Sequence, residues 1–591
     1  MKHLALATAG FAVVLFFSMP ASPWEFDEPL FFQGLHRYDP LSHHPPPPGY
    51  PVFMGVGKFV RMVAPSDFAA LRAISIAGSL IGFVMLALAF RNMSGEMAAG
   101  IAGALLFYFS PSMLVHATLP ISEPGALALL AAALYLGTRT SSPASFAAIA
   151  ALAVGWRMQF AIFVVPLLLV RVAMMRRWRD RGTALLAFTF VCLAWLIPLA
   201  AAVGGIEELA EFETGQGRYL AEHDAGQSRG GWTPAMIALR FVAHPWGVKV
   251  ASAPLLLAAA IGFVMAVRRR HWLALPMTLA GAVYVAFALR VMDPADGARY
   301  AIPFVLVTAF FAAVGVAFLS SRFSIPPLAL PLLFCAGSLV YVSSLLYQRS
   351  RSASPPVQAA EHARRVYPPN AVAVYELPLW PHATYYLRDH QPMRLDDALR
   401  RFHDRPDVPL FLYADGASRE RGAATFAWAA SDAYSKLTRN HYRVASIAPI
   451  PPESRYRPVR GIYGPEREPE GLAWRWLAPL AELQLPRGEA RIVTIHSGLP
   501  ADSLIEANEL TVEADGAPRG THRVERGGVT AIEIPVPPGA PLLVLRSARS
   551  FVPAEVPGSL SRDPRRLAVK LYGLATRAAA APAEPPAASP R

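Results

Sequence analysis

Up to about residue 347 the chain alternates long apolar runs with short polar breaks, and then its pattern changes. Apolar runs lie near 3–20, 67–90, 98–116, 122–137, 144–156, 157–175, 183–203, 246–267, 272–290, 299–319 and 324–347. Most are long enough to cross a hydrocarbon core of ~30 Å as helices. The stretch 144–175 can be read as one long helix or as two segments broken around Gly155-Trp156-Arg157.

The arginines choose between these readings, because positive side chains collect on the cytoplasmic side of a membrane. With two segments, Arg176, Arg177, Arg179 and Arg181, and also Arg268, Arg269 and Arg270, fall on the side of Lys2 and Arg91. With one segment both clusters would face outward. The sequence therefore predicts eleven spans with a cytoplasmic N-terminus. Glu207, Glu208, Glu211 and Glu213 open the long loop 204–245 on the opposite side. Residues 3–20 with Lys2 also resemble a signal peptide, but Ser18-Met19-Pro20-Ala21-Ser22 is a poor cleavage site, so an uncleaved first span is expected. The segment after that span, Glu123, the loop 204–245, the Asp293/Asp296 turn and the soluble part then share the external face.

After the membrane region 1–347, the Ser/Arg/Pro-containing stretch 348–365 reads as a linker. Residues 366–455 mix short apolar runs such as Ala371–Tyr375 with helical patterns, as an α/β subdomain does. From 456 to 575 the runs are short, β-rich and separated by Gly and Pro, which predicts a β-sandwich. The Ala/Pro-rich tail 576–591 is expected to be disordered.

Composition agrees with a polytopic α-helical membrane protein: 54% of the 591 residues are hydrophobic and 16% charged. The net charge of +13 is no nucleic-acid signal, since many arginines sit in the short loops and no basic patch is interleaved with aromatics. The two cysteines, Cys192 and Cys335, lie in apolar spans, so the soluble part has no disulfide. No phosphate-cradling glycine loop stands between a strand and a helix.

Chemistry concentrates just after the first span, in Trp24-Glu25-Phe26-Asp27-Glu28-Pro29 and in His43-His44-Pro45-Pro46-Pro47-Pro48-Gly49-Tyr50-Pro51. Ionisable groups gathered at a membrane face are costly and mark function. An acidic pair followed by His-Pro-Pro and Gly-Tyr-Pro resembles the first external loop of GT-C glycosyltransferases. The nearest types are bacterial relatives of the protein O-mannosyltransferase and aminoarabinose transferase families, and the resemblance covers roughly residues 1–347. It implies a GT-C-like fold that moves a sugar from a polyprenyl-phosphate donor to a glycan, lipid or protein acceptor on the external face of a bacterial inner membrane. Asp27 takes the place of the catalytic base and Glu28 that of the second acid. Glu25 has no counterpart and is taken as solvated. His44 matches the motif better than His43, and His44 with Glu28 could ligate a divalent cation, the one cofactor the resemblance leaves room for.

Glu123, in Ser122-Glu123-Pro124 at the start of a span, has two readings. Ser122 and Glu123 could simply stabilise the helix N-terminus, or Glu123 could be a second catalytic acid, as the resemblance implies. Arg157 could snorkel to the interface or reach the donor phosphate. Arg299-Tyr300 opens a span as in these transferases, where the arginine fork suits a leaving phosphate; the bland reading is an interfacial anchor. Trp474 and Trp476 could stack on sugars or be buried. The expected reaction is one displacement with inversion, by a hexosyl- or pentosyltransferase. The competing class is a non-catalytic polysaccharide transporter or export component with a carbohydrate-binding outer domain. It would place charges at mid-bilayer and show internal repeats, and the sequence shows neither.

Overall fold

The computed structural model describes all residues except 140–141, 225–231, 248, 270, 419, 421, 439–441, 468–472, 502, 504, 557–562 and 579–591. The chain forms two compact units. The first comprises Met1–Val357 together with Trp428–Arg443, and the second comprises Gln358–Ala427 and Val444–Arg591.

The first unit is helical. Among the described residues, four stretches are long and apolar enough to cross a membrane: Asp67–Ser94, Trp178–Val203, Ile302–Phe323 and Ala329–Val366. Seven shorter apolar helices occupy the other hydrophobic runs. Outward-facing side chains such as Leu186 and Phe190 are apolar and exposed, as lipid-facing positions should be. The stretch 144–175 is two helices. Pro143–Trp156 ends because Arg157 is extended (φ −150°, ψ 105°), and Ala161–Met174 follows a single 3-10 turn.

Small residues set the packing. A Cβ on Gly78 would come within 2.9 Å of the backbone of Gly125, so the helices Asp67–Ser94 and Glu123–Gly137 approach at a glycine pair. The first of these helices is bounded by Ser66, whose hydroxyl accepts from Ala69 N–H, and by Gly95 in the left-handed conformation. The stretch read as a linker, 348–365, is helical to Arg351 and again over Pro355–Val366.

The second unit contains two sheets. Strands β1 (Val372–Tyr375), β2 (Met393–Arg394), β3 (Leu410–Asp415), β4 (Ala424–Ala427) and β5 (Val444–Ile450) run in the order β2-β1-β3-β5-β4. The first three are parallel and the last two antiparallel to their neighbours. Eight more strands follow: β6 (Arg457–Arg467), β7 (Ala473–Gln484), β8 (Arg491–Gly498), β9 (Ala507–Ala514), β10 (Ala517–Glu525), β11 (Val529–Val536), β12 (Leu542–Ser547) and β13 (Lys570–Ala578). They form one antiparallel sheet in the order β10-β9-β12-β7-β13-β8-β11, with β6 against β7. Alternate residues such as Ile532, Ile534 and Val536 point into its core with Val493, Ile495 and Leu545. Pairing with β8 carries β13 to Ala578, so residues 576–578 of the expected tail are strand. The rest of that tail lies outside the described residues.

Candidate active site

The helix Asp27–His36 is the next helix after the first hydrophobic one, Lys2–Phe17, and Asp27 is its first residue. Glu123 opens the helix Glu123–Gly137, and Arg299 lies in the one-turn helix Gly297–Tyr300, just before the span Ile302–Phe323. Three chain segments far apart in sequence thus present charges at helix beginnings. Folding brings these charges together.

Arg299 is the centre. Its Nε donates to Glu123 Oε1 at 2.6 Å and its Nη2 to Asp27 Oδ2 at 2.9 Å. Nη1 stands 3.8 Å from Glu25 and 3.9 Å from Asp296, outside hydrogen-bond length. Arg157 meets the same Glu123 oxygen, with Nη1 3.3 Å from Oε1 and 2.8 Å from Ser122 Oγ. Four carboxylates therefore face two guanidinium groups in a largely dry setting, where pairing matters far more than in water. Side-chain exposure separates their roles. Arg299 and Glu123 are each 3% exposed, whereas Asp27 is 22% exposed. Asp27 is the member of the cluster that a solute can reach.

Aromatic groups frame this cluster. The Arg157 guanidinium lies 5.8 Å from the Tyr50 ring centre and Arg299 lies 6.0 Å from that of Tyr300. The Tyr300 carbonyl accepts from the Tyr284 hydroxyl at 2.5 Å. Trp156 Nε1 donates to the Ser122 carbonyl at 2.9 Å, which fixes the turn before Glu123.

Several expectations change. Arg157 does not snorkel: it is buried against Glu123 and Ser122. Ser122 makes no side-chain cap, because its own backbone is already helical and its hydroxyl is turned to Arg157. Glu25 is not solvated; it is 3% exposed and close to Arg299. Glu28 does not join the cluster. Its Oε2 accepts from the backbone N–H of Trp24, and its Oε1 has no partner among the described residues. Burial holds its carboxyl well above the usual carboxylate range; the Trp24 hydrogen bond opposes this and neighbouring Glu25 adds to it.

The histidines divide differently from the expectation. His44 exchanges backbone hydrogen bonds with Asp39, and its charged neighbours are Asp39, His43 and Arg37. His43, in the left-handed conformation, is the imidazole near Asp27. Among the described residues no group of three or more His, Cys, Asp and Glu side chains could hold a metal ion. Glu28 turned towards Trp24 and His44 turned towards Asp39 do not make a ligand pair, so the residues present do not fit the expected cation.

Two buried residues near the cluster went unnoticed in the sequence. His116 is fully buried, donates from Nδ1 to the Ser112 carbonyl (2.7 Å), and has Arg299, Glu123 and Arg349 as charged neighbours. Arg349, at the end of Ala329–Arg351, is also fully buried. A histidine closing an apolar run and an arginine just past one were the available signals, but neither residue type at a span end is distinctive. In the second unit, Trp474 and Trp476 are buried and pack edge to face at 5.4 Å, with Lys570 Nζ 3.8 Å from the Trp474 ring centre. They are core residues.

No family model matches the chain, and no curated protein sequence does. Solved structures overlap it. ArnT from Cupriavidus metallidurans in the apo state gives a TM-score of 0.49 at 14% identity, covering 76% of this chain and 98% of that one. ArnT bound to undecaprenyl phosphate gives 0.49 at 13% over the same shares. Arabinofuranosyltransferase AftD from Mycobacteria gives 0.36 at 12%, covering 99% of this chain and 59% of that one. Both are GT-C glycosyltransferases, the class that the segment after the first hydrophobic helix resembles. The overlaps are partial, and the functional reading rests on the site's own residues.

Proposed function

We propose that this chain is a multi-pass membrane glycosyltransferase of the GT-C type, transferring a hexosyl or pentosyl group from a polyprenyl-phosphate donor to a glycan, lipid or protein acceptor. In this reading eleven helices cross a bacterial inner membrane, the N-terminus is cytoplasmic, and the site, the α/β subdomain (366–455) and a β-sandwich (456–575) face outward. The observation that carries it is the buried Glu123–Arg299 pair holding a partly exposed Asp27, at the position the first-loop motif gives to the base.

The donor phosphate enters from the side of the partly exposed Asp27 and takes its place at Arg299 Nη2. Glu123, bonded at 2.6 Å and closed off from solvent, keeps the guanidinium aimed, with Arg157 behind it. Release from Arg299 frees the Asp27 carboxylate to accept the proton of an acceptor hydroxyl. The acceptor oxygen bonds to the anomeric carbon as the bond from that carbon to the phosphate oxygen breaks, and the departing charge rests on Arg299. One displacement inverts the anomeric centre. Tyr300 and Tyr50 border the phosphate and sugar, and no step passes through a metal. The test is lipid-linked glycan profiling of a deletion strain complemented with wild type or Asp27→Asn. The deletion strain loses a product that wild type restores and Asp27→Asn does not; wild-type glycans in both strains would refute the transferase reading.

A further inference from the structure

The segment between the first hydrophobic helix and Asp27 is held by a residue outside the site. Arg349 is fully buried; its hydrogen-bond partners are neutral oxygens, and Glu28 and Glu25 are its charged neighbours. Nη1 donates to the Val115 carbonyl at 2.5 Å, and Nη2 lies 3.3 Å from both the Ser18 carbonyl and Thr118 Oγ1. Its Nε has no partner among the described residues. The Arg349 carbonyl accepts from Ala21 N–H at 3.0 Å, and the guanidinium sits 5.8 Å from the Trp24 ring centre. Ser354 continues the grip: its N–H donates to Ser22 Oγ at 2.7 Å and its hydroxyl to the Pro23 carbonyl at 2.6 Å.

Beyond Trp24 stands Glu28, fully buried, bonded to the Trp24 N–H through one oxygen and, among the described residues, without a partner on the other. Trp24 is packed from its other side by Trp428 at 6.0 Å and Tyr434 at 5.7 Å, both of the same compact unit. For stability alone this is a poor design. A buried guanidinium on carbonyls beside a half-satisfied buried carboxyl costs more than apolar side chains of similar volume. Groups this expensive persist where they fix a geometry.

We propose that Arg349 is a positioning residue of the site: acting through the Trp24–Glu28 turn, it sets Asp27 within reach of Arg299. This rests on the glycosyltransferase reading only for what Asp27 then does. The placement itself is a separate claim. The turn leaves little freedom, since Ser18, Ala21, Ser22 and Pro23 are all tied to the Arg349–Ser354 end, and Glu28 closes the loop back onto Trp24 directly under Asp27.

The experiment labels carboxyl groups of the full-length protein in detergent with a water-soluble carbodiimide and an amine, and reads Asp27 by mass spectrometry. Arg299→Met supplies the signal of an unpaired Asp27, and Asp67, paired with Arg61 at 2.6 Å, is the internal reference. In Arg349→Met, Asp27 labelling rises several-fold towards the Arg299→Met value while Asp67 does not change; Arg349→Lys stays near wild type. Should Arg349→Met fail to fold, Glu28 variants decide the matter. Glu28→Ala, which removes the acceptor for Trp24 N–H, raises Asp27 labelling, and Glu28→Gln, which keeps it, does not. Wild-type labelling of Asp27 in Arg349→Met or in Glu28→Ala overturns the proposal, as does an equal rise at Asp67, which would mean general loosening. Full glycan transfer by Asp27→Asn would instead sink the transferase reading and leave the labelling result standing.

Discussion

Arg299 donates to Asp27 at 2.9 Å although the two residues stand 272 positions apart in the chain. The contact joins the segment after the first hydrophobic helix to the short helix before a late apolar helix. Because the same guanidinium holds Glu123 at 2.6 Å, one side chain fixes the relative placement of three segments.

Asp27→Asn keeps an oxygen for Arg299 but has no basicity. Transfer should fall by roughly 10²–10⁴-fold, the usual contribution of a general base, with thermal unfolding of the detergent-solubilised protein close to wild type. Glycan profiling of the complemented deletion strain measures the first part. An undiminished product would end the assignment of Asp27 as base.

Arg299→Met removes the guanidinium that Glu123, Asp296 and Glu25 share and leaves Arg157 beside Glu123. Breaking such a cluster from one side costs about 3–5 kcal/mol, more than losing an exposed pair would. Glu123→Leu combined with Arg299→Met should cost less than the sum of the two single variants, since the Glu123–Arg299 contact can be lost only once. Unfolding scans of both single variants and the double variant form the cycle, and simple additivity would show that the pair is not coupled.

Glu28 gives stability a pH dependence of definite sign. Its carboxyl titrates above the ordinary range when folded, so the folded state binds the proton more tightly than the unfolded chain does. The resulting stability is complete at pH below the unfolded value of about 4.3 and is lost as pH rises through the folded value. Glu28→Gln should flatten this decline on the alkaline side in an unfolding series across pH. A wild-type slope in the variant would remove Glu28 as its source.

Gly125→Ala tests the packing behind Glu123. A Cβ there would stand 2.2 Å from the Trp156 ring, which itself anchors the Ser122 carbonyl. Overpacking of this kind costs about 1–3 kcal/mol. It should also lower transfer, because Ser122, Glu123 and Arg157 follow the tryptophan. A variant with altered unfolding but full transfer would uncouple the packing from the site.

The legible parts were those written locally. The apolar runs became helices, and the break at Arg157 was readable from the arginine clusters at 176–181 and 268–270, which share a side with Lys2 and Arg91 only if 144–175 is two segments. The acidic start of Asp27–His36 and the Arg299-Tyr300 turn were visible because charges beside a membrane span are rare enough to stand out. Glu25 was misjudged because a carboxylate in a loop looks solvated whatever packs over it, and only its neighbours reveal the burial. Glu28 shares Asp27's sequence context, yet one residue further along a helix points about 100° away, towards Trp24.

By itself, then, the sequence determined where helices and strands form and which segments carry charge, since hydrophobic periodicity and turn residues act over a few positions. Tertiary structure alone decided which carboxylate pairs with which arginine, and that Asp27 stays reachable while Glu25, Glu123 and Asp296 are closed off. Pairing and burial depend on side chains contributed by remote helices, and no local pattern encodes which helices will meet.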